Sequence, residues 1–129
     1  MTVFVDTGFF IGTLFPKDQN YRKALQAQQR SWVGVTSTAV VHETLTLLQR
    51  RGFFGVALQF LDLLSTDASV QLVYADADLE RRGWEEFRRF GSLGASPIDC
   101  LSFAIMRRQG IRKAYTFDKH FRAAGFDIL

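Results

Sequence analysis

The chain alternates short apolar runs with longer stretches whose apolar positions recur every three or four residues. Val3-Phe4-Val5 is a short apolar run rich in β-branched residues, which predicts a buried strand. Thr7 to Phe15 follows as a short helix stopped by Pro16. Asp18 to Arg30 has a helical period, with Asp18 as its expected N-cap. Val33 to Thr36 is a second strand. Ser37 or Thr38 caps the next helix, which runs to Arg51 and breaks at Gly52. A further helix spans Phe54 to Ser65, and Val70 to Tyr74 is a third strand. Asp76 or Asp78 caps a charged helix to Phe90. Gly91 to Ala95 is a loop, and Ser96 caps a helix to Gln109 that Gly110 closes. Lys113 to Phe117 is a fourth strand, and Phe126 to Leu129 is a candidate fifth.

Strands separated by helices pair in parallel through right-handed crossovers. The expected fold is therefore α/β: a three-layer sandwich with a central parallel sheet of four or five strands flanked by helices. No Pro- or Ser-rich linker, repeat or low-complexity tract divides the chain, so residues 1–129 are read as one domain. With 47% hydrophobic residues, 13 of the 129 positions being Phe, the chain can bury a core and is not disordered.

The helix from Phe54 to Ser65 is apolar on nearly every side: Phe54, Val56, Ala57, Leu58, Phe60, Leu61, Leu63 and Leu64. Such a helix needs burial on more than one face. Either it lies deep inside the fold or it offers a surface to a partner.

Composition narrows the chemistry. No apolar run is long enough to cross a bilayer. No basic segment followed by an apolar one precedes the first strand, so the cytoplasm is the expected location. One Cys and two His exclude an intramolecular disulfide and a cysteine-rich zinc site, and argue against a histidine-based metal centre. The net charge is +3, with arginines in pairs: Arg50-Arg51, Arg81-Arg82, Arg88-Arg89 and Arg107-Arg108. These suit phosphate contacts or simply solvated helix faces; basicity permits a nucleic-acid substrate without establishing one.

Four acids stand where a folded domain has little structural use for them. Asp6 ends the first strand and Asp118 follows the fourth, and ligands of parallel α/β sheets bind beyond the carboxyl ends of strands. Asp99 is in the first turn of the helix opened by Ser96-Pro97, which faces that same edge. Each of these three also fits a helix cap, with Asp99 closing a capping box with Ser96. Glu43 fits no cap. It lies one turn from Val40 and from Leu47 on an apolar face, where an unpaired carboxylate is costly. Gathered together, four acids repel one another and require a cation. Oxygen ligands without accompanying His or Cys suit Mg²⁺ or Mn²⁺. Thr7 and Thr116 sit beside site acids as candidate supports. His42 faces another side of its helix. His120, just past Asp118, either reaches a phosphate or stabilises the turn. Cys100 reads as a small core residue, and Phe9-Phe10 and Phe53-Phe54 as packing or interface residues.

These motifs resemble the PIN domain, and specifically the small VapC-like toxins of toxin–antitoxin pairs. Val5-Asp6-Thr7 resembles the family's opening strand motif, and Glu43 matches its helical acid. Ser96-Pro97-Ile98-Asp99-Cys100-Leu101-Ser102-Phe103-Ala104 is similar to the segment carrying its third acid. Thr116-Phe117-Asp118-Lys119-His120-Phe121 resembles its fourth-acid motif. Gly8 departs from the Ser or small polar residue common there, so no hydroxyl acts at that position. The resemblance implies a Mg²⁺- or Mn²⁺-dependent, single-strand-preferring endoribonuclease. It implies Asp6, Glu43, Asp99 and Asp118 as catalytic acids, and a homodimer inhibited by a small cognate antitoxin. Asp6, Asp99 and Asp118 are the expected metal ligands, with a metal-activated water as nucleophile.

Rival readings are weaker. Asp6-Thr7-Gly8 matches an aspartic protease, but those are all-β. A dehalogenase-type phosphohydrolase needs a second Asp where Gly8 stands. A receiver-like Mg²⁺-binding signalling domain is only loosely met by Asp76 and Lys113. A catalytically inactive PIN-like module that binds RNA or protein is separable from the nuclease only by activity.

Overall fold

A computed structural model describes residues 1–129. Four strands, β1 (Thr2–Val5), β2 (Val33–Ser37), β3 (Val70–Val73) and β4 (Ala114–Tyr115), form one sheet. Its order is β3-β2-β1-β4, and every pairing is parallel. Seven α-helices connect and cover it: α1 (Thr7–Leu14), α2 (Tyr21–Gln28), α3 (Thr38–Arg50), α4 (Phe54–Thr66), α5 (Ala77–Phe90), α6 (Pro97–Gln109) and α7 (Lys119–Ala123). A 3₁₀ turn at Gly91–Leu93 joins α5 to α6, inside the stretch expected as a plain loop. None of the helices is long and apolar enough to cross a membrane.

Alternation along β1 separates the two faces of the sheet. Phe4 points into a large core with Val35, Leu79, Phe103, Met106 and Phe121, built against α5, α6 and α7. Val3 and Val5 point the other way, packing with Phe9, Ala24, Ala27 and Tyr115 under α1 and α2. A third cluster of Ile11, Val41, Leu48, Ala57 and Phe60 ties α1, α3 and α4 together. The three-layer arrangement is thus set by a short, doubly covered strand, as its uninterrupted apolar run implies.

Three boundaries differ from the sequence expectation. The second helix starts at Tyr21 with Asn20 at its N-cap. Asp18 instead accepts the backbone N–H of Asn20 at 2.8 Å, closing a turn of the kind Asp readily forms. The fourth strand holds only Ala114 and Tyr115, because Thr116 and the residues after it turn from the ladder towards the acids. The proposed fifth strand does not form: only a single bridge joins Lys113 to Asp127.

Helix α4 is not deeply buried. Ala57 and Phe60 face the core, while Phe54 is 61% exposed and Leu58 47%. The partner-surface alternative is therefore the one this helix fits. Beside it runs an apolar groove of about 400 Å³ that includes Phe9, Phe10, Leu14, Trp32, Phe60 and Leu63.

Candidate active site

Four separate elements deliver the four acids. Asp6 stands where β1 hands over to α1, and Asp118 precedes α7. Asp99 is in the first turn of α6, and Glu43 in the second turn of α3. With Thr7, Gly8, Ser96, Thr116 and Phe117 they line one cavity of about 390 Å³.

Asp6 is 6% exposed. Its Oδ2 accepts the Thr116 hydroxyl at 2.8 Å. Burial pushes its pKa up to about 7; the Thr116 hydrogen bond opposes this, and the charges of Asp99 and Glu43 add to it. Glu43 is also raised, by its own burial and then by Asp99 and Asp118. Its Oε2 is shut off from solvent without a hydrogen-bond partner, a state that costs free energy unless something positive approaches. Asp99 is raised by burial first, held back by the Ser96 backbone N–H, and raised again by Asp118. Asp6, Glu43 and Asp99 thus resist ionisation because of burial and because of neighbouring acids. A divalent cation reverses both effects, so the donor set fits one, and its oxygen-rich chemistry fits a hard ion.

Capping and site membership turn out not to be alternatives. Ser96 and Asp99 form the full capping box: Asp99 Oδ2 accepts the Ser96 N–H at 2.9 Å, and the Asp99 N–H donates to Ser96 Oγ at 3.0 Å. Asp118 Oδ1 accepts the His120 N–H at 2.9 Å. Each cap occupies one carboxylate oxygen and leaves the other without a capping bond. Asp6 occupies an N-cap position, yet its side chain makes no capping bond. Glu43 lies on the shoulder of the buried α3 stripe of Val40, Val41, Thr44 and Leu48, itself half-buried.

The two candidate threonines behave differently. Thr116 donates to Asp6 and accepts the Asp118 N–H at 3.0 Å, so one hydroxyl positions two of the acids. The Thr7 hydroxyl is turned to α3 instead, 3.4 Å from the Val40 carbonyl and 3.2 Å from Thr44 Oγ1. It locks α1 to α3 rather than supporting a carboxylate. Cys100 is fully buried, and burial pushes its thiol up to about 11, so it is a core residue. His42 is exposed on α3.

His120 belongs to the acid cluster more closely than its position alone indicated. Asp99, Asp118 and His120 each offer a donor atom, all within 4.8 Å of one another. The signal was the Asp118-x-His120 spacing across a turn closed by the Asp118 side chain. Four of the eight paired arginines, Arg82, Arg88, Arg107 and Arg108, form ion pairs on α5 and α6. Arg107 is bound to the buried Glu86 and lies 4.8 Å over the Phe126 ring. Arg108 holds Asp76 at 3.1 Å.

A parallel β3-β2-β1-β4 sheet with four acids gathered at its carboxyl edge defines a nuclease-like α/β domain. The chain belongs to the PIN domain family, whose profile matches residues 3–127. Within that family it is VapC-like. It is 39% identical over 127 residues to the 23S rRNA-specific endonuclease VapC20 of Mycobacterium tuberculosis strain H37Rv, covering 96% of this chain and 95% of that one. The crystal structure of Mycobacterium tuberculosis VapC20, described as a sarcin-ricin loop cleaving toxin, superposes with a TM-score of 0.87 at 35% identity, over 96% of this chain and 95% of that one. VapBC2 of Rickettsia felis, bound to promoter DNA, shares the fold at a TM-score of 0.71 and 12% identity, over 100% of this chain and 98% of that one.

Proposed function

We propose that this chain is a metal-dependent endoribonuclease, the toxin of a toxin–antitoxin pair. The observation that carries the reading is the gathering of Asp6, Glu43, Asp99 and Asp118 from four elements into one cavity. Asp6, Asp99 and Asp118 are the proposed ligands of Mg²⁺ or Mn²⁺, with Glu43 completing the acid set. A divalent ion held there supplies an activated water and neutralises charge on the phosphodiester. The chain's own residues supply placement. Thr116 orients Asp6 and holds the Asp118 N–H, while the Ser96 N–H holds one oxygen of Asp99. Catalysis by positioned charge needs such fixed donors more than it needs an attacking side chain.

The substrate class follows from the relatives. VapC20 is specific for 23S rRNA and is described as cleaving the sarcin-ricin loop. A structured loop of ribosomal RNA is the proposed substrate here, which sets the activity in the cytoplasm. Structural neighbours include the VapBC complexes of Rickettsia felis and of nontypeable Haemophilus influenzae. A small antitoxin is the proposed partner, supported by the apolar groove between α1 and α4. A homodimer is proposed on the exposed apolar side of α4.

The test uses purified protein, rRNA fragments containing the sarcin-ricin loop, a panel of other structured RNAs, and Mn²⁺. Discrete cleavage is expected, abolished by chelator and by Glu43→Gln. No cleavage of any RNA by wild type, or equal cleavage by Glu43→Gln, refutes the reading.

A further inference from the structure

His120 is the one nitrogen donor grouped with the site carboxylates Asp99 and Asp118, and its ring is held in a specific way. Nε2 lies 3.1 Å from the Leu93 carbonyl oxygen. A carbonyl only accepts, so Nε2 carries a ring hydrogen, and Nδ1 is the ring atom left facing the acids. Nδ1 is shut off from solvent and has no hydrogen-bond partner. It stands 2.6 Å from Asp118 Oδ1, without the alignment of a hydrogen bond, and that oxygen already accepts the His120 N–H. Either a proton on Nδ1 or a cation joins two atoms this close, and a divalent ion displaces such a proton when it binds. Asp99 offers a third donor in the same group.

The surroundings are built for the ring. The 3₁₀ turn Gly91–Leu93 presents the Leu93 carbonyl. Gly94 follows at φ +101°, where a Cβ would stand 3.0 Å from His120 Nε2. Glycine is needed there both for the left-handed backbone and for the space. An imidazole whose far N–H is fixed by a backbone carbonyl is the usual support of a metal-ligating histidine.

We infer that His120, through Nδ1, is a ligand of the divalent ion in this site and gives it a preference for Mn²⁺ over Mg²⁺. The inference rests on the nuclease-site reading above. Mg²⁺ takes oxygen ligands almost exclusively, whereas imidazole binds transition metals more readily. A site of carboxylates alone would discriminate between the two ions much less.

The spectrum of bound Mn²⁺ tests this directly. Wild-type protein, unlabelled or carrying ¹⁵N only in histidine, is loaded with one equivalent of Mn²⁺ and its electron spin echo envelope modulation is recorded. A directly coordinated histidine nitrogen is expected, switching from the ¹⁴N to the ¹⁵N pattern on labelling. The chain has two histidines, so His42→Ala keeps the coupling and His120→Gln loses it. Calorimetric titration of His120→Gln is expected to show Mn²⁺ affinity lowered by about tenfold or more, with a smaller loss for Mg²⁺. Mn²⁺ bound to wild type without histidine coupling overturns the inference and leaves the carboxylate site standing. An unchanged Mn²⁺/Mg²⁺ ratio in folded His120→Gln overturns the selectivity. No Mn²⁺ binding by wild type overturns both this inference and the metal-site reading.

Discussion

The hydroxyl of Thr116 donates to the carboxylate of Asp6 across 2.8 Å, joining residues 110 positions apart in the chain. The bond adds a side-chain tie to the backbone pairing of β1 and β4, where the Asp6 N–H donates to the Tyr115 carbonyl at 3.1 Å. The same hydroxyl accepts the Asp118 N–H. Removing it takes away the one side-chain donor of buried Asp6 and leaves only the Thr7 backbone to favour its ionised form. Thr116→Val is therefore expected to lower cleavage about 10- to 100-fold and to move the pH–rate profile upward, since the Asp6 carboxyl loses the bond that favours its ionised form. Thr116→Ser should retain most activity. A pH series of cleavage rates checks this, and a Val variant with the wild-type profile would refute the positioning role.

Asp99 serves a helix cap and the site with different oxygens, so the roles are separable. Asp99→Asn keeps an acceptor for the Ser96 N–H and should melt close to wild type while losing cleavage by at least about 100-fold. Ser96→Ala does the reverse. It loses the hydroxyl that caps α6, at about 1 kcal/mol, but keeps the acid. Thermal melts and cleavage assays on both variants decide the matter. Parallel losses of stability and activity in both would show that the cap and the site act as one unit.

Burial of Asp6 makes stability depend on pH in a particular direction. Its folded pKa lies near 7, above the ordinary value of 3.8. Between those values the unfolded chain gives up its proton and the folded chain keeps it, so the unfolded state binds fewer protons and folding weakens as pH rises. The contribution is intact below about pH 4 and has been lost once pH passes 7. Without divalent ions, the melting temperature is expected to fall by about 5 °C or more between pH 5 and 8. Asp6→Asn should flatten that slope. A melting temperature that rises over this range in metal-free buffer would contradict the assigned environment of Asp6.

Much of this was readable from residue order, and the exceptions have physical causes. Val3-Phe4-Val5 announced a doubly covered strand because both faces of it are apolar. Ser37 or Thr38, Asp76 or Asp78, and Ser96 announced helix starts because a cap acts through local chemistry, and the caps fall on Ser37, Asp76 and Ser96. Glu43 stood out because no local rule explained it. The short β4 was not readable, since Thr116 leaves the ladder to reach Asp6, a contact invisible along the chain. The Thr7 hydroxyl likewise turns to Val40 and Thr44 because of where α3 packs. Asp18 misled because Asp closes turns as readily as it caps helices. The place of His120 in the acid cluster is not legible along the chain because its ring is held by a carbonyl on a 3₁₀ turn 27 positions earlier.

Helix α4 carries the prediction about assembly. Phe54, Leu58 and Leu61 recur at four- and three-residue intervals and so share one face, and they are 61%, 47% and 38% exposed. Solvent contact along that stripe is unfavourable at roughly 25 cal/mol per Å² of apolar surface, so covering it by a second copy or another chain is favourable. The isolated protein is expected to run as a dimer in light scattering or to require a partner for solubility. Leu58→Lys with Leu61→Lys places two like charges in the stripe, and a charge left unpaired in an apolar interface disfavours closure. That double variant should be a soluble monomer with an unchanged melting profile at low concentration, because neither side chain belongs to the buried clusters. A wild-type protein that is monodisperse, soluble and monomeric at high concentration would show that the stripe covers nothing.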